Sequence, residues 1–187
     1  MLKKILFALL AAAMVLTAAA CGKDETPDNA GDTTAAEDTA AEAIVYEGTL
    51  EELLAAIYEK SPMEAMMGNM PIDLTDADAL KYYLGLSDAA GIKEAIVSEP
   101  MIGSIPYSLC LARVEEGADV AALMQGILDG VDMRKWMCVE TDNMIVANHG
   151  DVIIMVMNKS EEQGPLAAYQ YAAFAEIVGG EGTKLSK

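Results

Sequence analysis

The sequence is poor in the side chains that most enzymes and metal sites use. Its 187 residues include one His and three Cys, and 12 Lys and Arg stand against 30 Asp and Glu, a formal charge of −18. Nucleic-acid phosphates are bound by clustered Lys and Arg, so this composition excludes an electrostatic DNA or RNA interface. Apolar residues make up 53% of the chain, which is enough for the core of one domain or two small ones.

The first 20 residues have the pattern of a secretory signal peptide. Lys3 and Lys4 form a short basic start, residues 5–16 are an unbroken apolar run, and residues 17–20 are small. This order is typical of a cleaved export signal. Even when it is extended through residue 20, the apolar stretch has 16 residues, which is shorter than the ~20 that span a bilayer as a helix.

The end of this signal resembles a bacterial lipobox. Residues 16–22 read LTAAACG, and Cys21 stands where the lipidated cysteine of exported lipoproteins becomes the mature N-terminus. Ala18 departs from the commonest pattern, which has Leu three residues before the cysteine. One acyl chain such as palmitate holds a protein only marginally, whereas dual acylation anchors it stably. We predict that Cys21 anchors the protein to the extracytoplasmic face of the cell membrane; plain secretion with a free Cys21 is the alternative.

The segment after the cysteine is predicted to be a tether. Residues 22–43 contain seven carboxylates, one Lys, and no aromatic or large aliphatic residue. Such a segment cannot bury enough apolar surface to offset its ordering entropy, so we expect disorder. The sequence therefore predicts a signal peptide at 1–20, a lipidated cysteine and acidic tether at 21–43, and one domain at 44–187. That domain carries 9 Lys and Arg against 23 Asp and Glu, a charge of −14.

Helix signals recur along the predicted domain. Thr49 and Glu52 have the spacing of a capping box before an apolar helical stripe. Thr75 precedes a short helical pattern, Asp119 precedes a longer one, and Pro165 stands at the first turn of a last apolar helix. These signals predict an N-terminal helical part and two later helices.

Strand signals complete a mixed pattern. Residues 92–99 and 107–114 alternate as strands do, and residues 144–148 and 152–157 flank a tight polar turn at His149-Gly150. The order after the helical part is β-β-α-β-β-α. This order predicts an α+β fold, a two-layer sandwich with a mainly antiparallel sheet and helices on one face.

The lipobox, the acidic tether and this order of elements together resemble a family of small exported lipoproteins of Gram-positive bacteria. That family is catalogued as a domain of unknown function. The segments PMIGSIPYSLCLARVEEGADV at 100–120 and GDVIIMVMN at 150–158 carry most of the likeness. The resemblance implies extracytoplasmic anchoring and a small mixed domain, and it transfers no active site.

Methionine and cysteine offer the first candidates for chemistry. Met63, Met66, Met67 and Met70 recur at helical spacing, which predicts a buried helical stripe, although thioethers also suit Cu(I). A second set of candidates is the pair of cysteines in the domain, Cys110 and Cys138. Both fall on predicted strands at a spacing that matches no zinc or redox motif. We expect buried free thiols there, and export leaves a disulfide as the alternative.

The remaining polar candidates are weak. His149 is predicted to be an exposed turn residue. Asp73, Asp76 and Asp78 lack the Gly and Glu of an EF-hand calcium loop, and helix capping by Thr75 with acidic residues in the first turn explains them. The chain contains neither a Gly-x-Ser-x-Gly elbow nor a phosphate loop.

These observations favour a non-catalytic binding or interaction module with no catalytic, cofactor or metal site. Its partners are predicted to be the membrane, through the lipid on Cys21, and an unknown protein or other cell-envelope component. A metal or small-ligand carrier is the alternative, supported by the methionine run and the acidic surface. A carboxylate-based hydrolase comes third, because it needs two acids in one pocket about 5–10 Å apart.

Overall fold

The computed structural model of the protein describes residues 45–187. The predicted signal peptide at 1–20 and the tether at 21–43, including Cys21, lie outside the described residues. The helices and strands follow in the order α1 (Leu50–Lys60), β1 (Met67–Pro71), α2 (Ala77–Leu84), β2 (Ile92–Pro100), β3 (Tyr107–Val114), α3 (Val120–Gly130), β4 (Asn143–His149), β5 (Val152–Asn158), α4 (Ser160–Gln163), α5 (Leu166–Val178) and β6 (Lys184–Ser186).

The strands form one six-stranded antiparallel sheet in the order β1-β2-β3-β5-β4-β6. The predicted strand pairs β2–β3 and β4–β5 are adjacent in this sheet, and β3 and β5 join them at the centre. Helices pack against the sheet, so the predicted α+β class with a mainly antiparallel sheet is confirmed.

Helices cover both faces of the sheet, whereas the sequence pattern led us to expect them on one. Leu109 of β3 lies in one core with Leu53 of α1 and Phe174 of α5. The next residue, Cys110, belongs to a second core together with Met124 of α3. Since alternate residues of a strand point to opposite faces, the sheet has an α1/α5 face and an α2/α3 face. Every residue of β3 and β5 is buried, and such strands need cover on both sides.

Local signals set the ends of the predicted elements. The capping box at α1 is present, with Glu52 N donating to Thr49 Oγ1 at 3.1 Å and Thr49 N donating to Glu52 Oε2 at 2.9 Å. Asp119 caps α3 through the N–H of Ala122. The β4–β5 hairpin turns at residues 150–151, and the φ of +57° at Gly150 is one that glycine adopts without strain.

Two strands at the edges of the sheet were not predicted. The second half of the methionine run lies in β1 instead of in a helix, because residues 67–71 pair with β2 from Met67↔Pro100 to Pro71↔Ile96. At the other edge, β6 pairs with β4 through residues 184–186. Both strands are short and gain their hydrogen bonds from partners far away in sequence.

A network around Arg113 fixes the start of the described chain to the centre of the sheet. Arg113 Nη1 donates to Tyr46 O at 2.9 Å, and Nη2 donates to Gly48 O at 2.6 Å. The same guanidinium, whose side chain is 9% exposed, pairs with Glu94 and Asp151. Asp151 also accepts from Tyr46 N at 3.0 Å. The chain is therefore held at one end of the strands from Tyr46 onward.

Candidate binding surface

Exposed large apolar side chains concentrate at one end and edge of the sheet. Eight such side chains are exposed between residues 45 and 187. Six of them come from β1, α2 and the nearby loops and form what we call the apolar edge surface: Met66, Met70, Tyr82, Met101, Ile102 and Met137. The other two, Val45 and Tyr169, lie elsewhere in the chain. This distribution marks one region of the described domain as unlike the rest of its surface.

The register of β1 and β2 places three methionines on one face. Met101 N donates to Met66 O at 2.9 Å, and Met70 lies opposite Val97. Residues opposite each other in an antiparallel pair share a face, and Val97 belongs to the core of the α2/α3 face. Gly68 lies between Met66 and Met70 on this face. A Cβ added to Gly68 would lie 3.6 Å from Met101 Cγ, so the Met101 side chain lies over Gly68.

A buried ion pair lies beside these methionines. Lys135 Nζ lies 2.6 Å from Glu99 Oε1, although the angles do not fit a hydrogen bond. The Lys135 side chain is 3% exposed and the Glu99 side chain is 13% exposed. The ammonium also faces three aromatic rings, at 4.7 Å from the centroid of Tyr82 and 5.3 Å from those of Tyr83 and Trp136. Rings at this distance attract a cation through their negative faces. Lys135 thereby fixes its own loop, α2 and β2 to one another beneath the apolar edge surface.

The polar groups below this ion pair are closed to substrates. Lys135 Nζ donates to Ser108 Oγ at 3.3 Å, which brings together the two residue types of a Ser–Lys nucleophile pair. Ser108, however, is fully buried. Cys110 Sγ donates to Tyr83 O at 3.5 Å, and burial raises the pKa of the Cys110 thiol to about 12. The thiol stays protonated at neutral pH, so it is unreactive. The predicted buried free thiol at Cys110 is confirmed.

The prediction of a free thiol at Cys138 is confirmed, but its predicted burial and its place on a strand were wrong. Cys138 is free and exposed, and it lies in the loop before β4 instead of in a strand. Its φ of +64° explains this placement, because a left-handed residue interrupts a strand. Among residues 45–187, it is the one non-glycine residue with a positive φ.

His149 is not the exposed turn residue that we expected. It is the last residue of β4 and pairs with Val152, so the turn begins one position later. Its side chain is half-buried, and Nε2 has no hydrogen-bond partner among the residues that the structure describes. The loop at Gly180 closes over it, since a Cβ on Gly180 would lie 3.0 Å from His149 Cε1.

The acidic cluster before α2 serves as a turn and a helix cap. Asp73 accepts from Thr75 N at 2.9 Å and from Thr75 Oγ1 at 2.7 Å, and these bonds lower the pKa of Asp73. Asp76, rather than Thr75, is the N-cap, because it accepts from the N–H groups of Asp78 and Ala79. Within residues 45–187, no group of three or more His, Cys, Asp or Glu side chains is arranged to hold a metal ion.

Sequence reasoning missed the apolar edge surface because it assigned the methionine run to a core helix. The structure exposes Met66 and Met70 and only partly buries Met63 and Met67. A signal against the helix was present: residues 68–71 read GNMP, and Gly and Pro inside a short run are typical of an edge strand.

No protein-family model, curated protein or solved structure matches the chain. The resemblance to exported lipoproteins therefore stays a prediction. Between residues 45 and 187, no helix is long and apolar enough to cross a membrane. The described residues combine an exposed apolar surface with a buried ion pair, Lys135–Glu99, beneath it.

Proposed function

We propose that the protein is a lipid-anchored extracytoplasmic module that binds a protein or other cell-envelope partner through the apolar edge surface. The observation that carries the proposal is the concentration of six of the eight exposed large apolar side chains in one region. Single exposed apolar residues are ordinary on a soluble domain, whereas a group of them favours a contact site. The molecular role is binding and not turnover.

The proposed anchor is supported by the sequence and fits the point where the domain begins. Cys21 stands at the end of an export signal, and an acidic segment separates it from Tyr46, the first residue that Arg113 holds. A tether of this kind keeps the domain close to one membrane and raises its effective concentration for partners on the same surface.

The contacts of the reactive side chains support binding over catalysis. Ser108 is buried, and Cys110 is held as a neutral thiol. The hydrolase alternative requires two acids in one pocket, but Glu94 and Asp151 are both paired with Arg113. These groups stabilise the fold. Glu140 and Glu162 line one pocket, and Glu140 is paired with Arg134.

A copper carrier remains a second candidate, because the structure exposes methionines that were expected in the core. Met66, Met70 and Met101 lie on one face around Gly68, and thioethers are soft ligands that suit Cu(I). Competition with a Cu(I) chelator tests this candidate. Binding by the wild type that is lost when all three methionines become Leu would support it, and equal binding by the two proteins would contradict it.

Photo-crosslinking on intact cells tests the proposed partner. A photoreactive amino acid placed at Met101 is expected to give discrete adducts, whereas the same group at Tyr169, which is exposed on another part of the domain, is the matched control. Equal adducts at both positions would contradict the assignment of the surface.

The anchor has its own test. We expect Cys21→Ala to release the protein from the membrane fraction, because the lipid is attached to the Cys21 sulfur and alanine cannot carry it. An unchanged membrane-bound fraction would overturn the anchor while leaving the binding surface untouched.

A further inference from the structure

Within residues 45–187, the backbone of β1 is open along one side. Strand β1 lies at the edge of the sheet, and among these residues it pairs with β2 alone. Met66 O accepts from Met101 N, and Ile72 N donates to Ala95 O of β2. The backbone N–H and C=O groups of the even-numbered residues between them therefore point toward β2. Because alternate residues of an antiparallel strand bond to opposite sides, Met67 and Asn69 direct their N–H and C=O groups away from the sheet. These groups are available to another strand.

The open stretch is short and has a defined end. Pro71 occupies the next outward position, and proline has no N–H to donate. Proline on an edge strand limits how far a second strand can pair. At Met67 and Asn69, an added strand can therefore pair with both the N–H and the C=O group. At Pro71 it can pair with the C=O group alone.

The charges around β1 define the chemistry of such a strand. Glu64 and Asp73 flank β1 and are exposed, so negative charge lies at both ends of the strand. Glu99, which lies opposite Gly68, is paired with Lys135. Complementary charges therefore belong at the ends of the incoming strand. A second copy of this chain is disfavoured, because each copy carries a formal charge of −18.

We infer that β1 accepts an added β-strand from another polypeptide, an extended segment with an apolar centre and basic ends. The inference rests on the proposed function and names its mode of binding. Main-chain hydrogen bonds to Met67 and Asn69 supply affinity, and alternate partner side chains pack on Met66, Met70 and Met101 and supply specificity. Met67 pairs with Pro100, six residues along β2 from Glu94 of the Arg113 network, which places this end of β1 about 20 Å from Glu94 at 3.3 Å per residue.

The test compares two substitutions at one residue. Asn69→Pro removes the outward N–H, and Asn69→Ala keeps it; both remove the side-chain oxygen that accepts from Ser98 Oγ at 2.6 Å. The probe is a synthetic peptide of about nine residues, alternating Val and Thr with lysines at both ends. A peptide of the same pattern with terminal glutamates is the charge control, and affinity for the full chain is measured by fluorescence anisotropy.

We expect the lysine-ended peptide to bind at least about tenfold more tightly than the glutamate-ended one. Asn69→Pro should weaken binding about tenfold or more relative to Asn69→Ala. Hydrogen exchange on the wild type gives a reading that needs no substitution: the peptide should slow exchange of the Met67 and Asn69 amides. No binding of the lysine-ended peptide, equal affinities of the two Asn69 variants with both folded, or unchanged exchange at both amides would each overturn the inference.

Crosslinking in cells separates this inference from the proposed function. If a combined Met66→Ser and Met70→Ser variant, with the photoreactive residue kept at Met101, loses the adduct while Asn69→Pro keeps it, the binding surface is supported and the added strand is contradicted. If both variants keep the adduct, the proposed function is wrong as well. Loss of the adduct in both variants, but not in Asn69→Ala, supports both.

Discussion

The two edges of the sheet are built in opposite ways. Strand β6 is three residues long, begins at Lys184 and is followed by Lys187, and the Lys184 ammonium lies 4.9 Å from the ring of Tyr171. Short strands and lysines are common means of preventing unwanted strand pairing. Strand β1 has no charged residue and is bordered by exposed methionines. One edge thus carries lysines and the other an uncharged strand, a difference that fits the proposed binding of a partner strand to β1.

The largest expected effect comes from the ion pair beside β1. Lys135→Ala leaves the largely buried Glu99 carboxylate without its cation, so we expect a loss of about 3–5 kcal/mol in the free energy of unfolding. Lys184→Ala is the matched control at the other edge, because that lysine is exposed, and it should cost less than about 0.5 kcal/mol. Urea denaturation measures both. Similar losses for the two variants would show that the edges are not built differently.

A smaller loss is expected from the glycine beside β6. A Cβ on Gly182 would overlap Asn148 O, a backbone atom that cannot move without displacing β4. Gly182→Ala should therefore displace β6 and lower the free energy of unfolding by about 1–3 kcal/mol. Faster hydrogen exchange at the amide of Asn148, which donates to Thr183 O, accompanies the loss. An unchanged exchange rate at Asn148 would contradict the close packing of this edge.

The corresponding glycine in β1 should respond with the opposite sign. A Cβ on Gly68 meets Met101 Cγ at 3.6 Å and Glu99 O at 3.7 Å, which are ordinary contacts. Because glycine weakens a strand interior, Gly68→Ala should raise the free energy of unfolding by about 0.5–1 kcal/mol. Thermal denaturation checks this, and a lower melting temperature for Gly68→Ala would show that the space over β1 is already filled.

The smallest effect on stability is expected when β1 is given the charge that β6 carries. Met70 is exposed, so Met70→Lys should change the free energy of unfolding by less than about 0.5 kcal/mol. The same substitution should reduce adduct formation from Met101 on cells, because it charges the apolar edge surface. Undiminished crosslinking by a folded Met70→Lys variant would show that Met70 is not part of the binding surface.

Local patterns in the sequence predicted the central elements of the fold. Asp119 before an apolar periodic run predicted α3, and the polar turn at 149–150 predicted the β4–β5 hairpin to within one residue. The cover on both faces could have been predicted as well, since the continuous run VIIMVM at 152–157 is typical of a strand buried on two sides.

The candidate site could not be predicted in the same way, because it is assembled from distant parts of the chain. The helical spacing of Met66 and Met70 is overridden by pairing with β2, a contact that depends on the whole sheet. Lys135 lies in a loop without periodicity and meets Glu99 only when α3 packs on the sheet. Whether Cys21 carries a lipid stays a prediction from the lipobox alone.

The Arg113 network also determines how the domain responds to mechanical force. A pull on the chain before Tyr46 passes through the bonds of Arg113 and Asp151 into β3 and the β4–β5 turn. These strands are central, and each is hydrogen-bonded on both sides, so the load is shared across the sheet. Under the proposed binding mode the opposing force acts on β1, so the load crosses from β3 through β2 to that edge. The ladders β3–β2 and β2–β1 would then carry the tension between tether and partner.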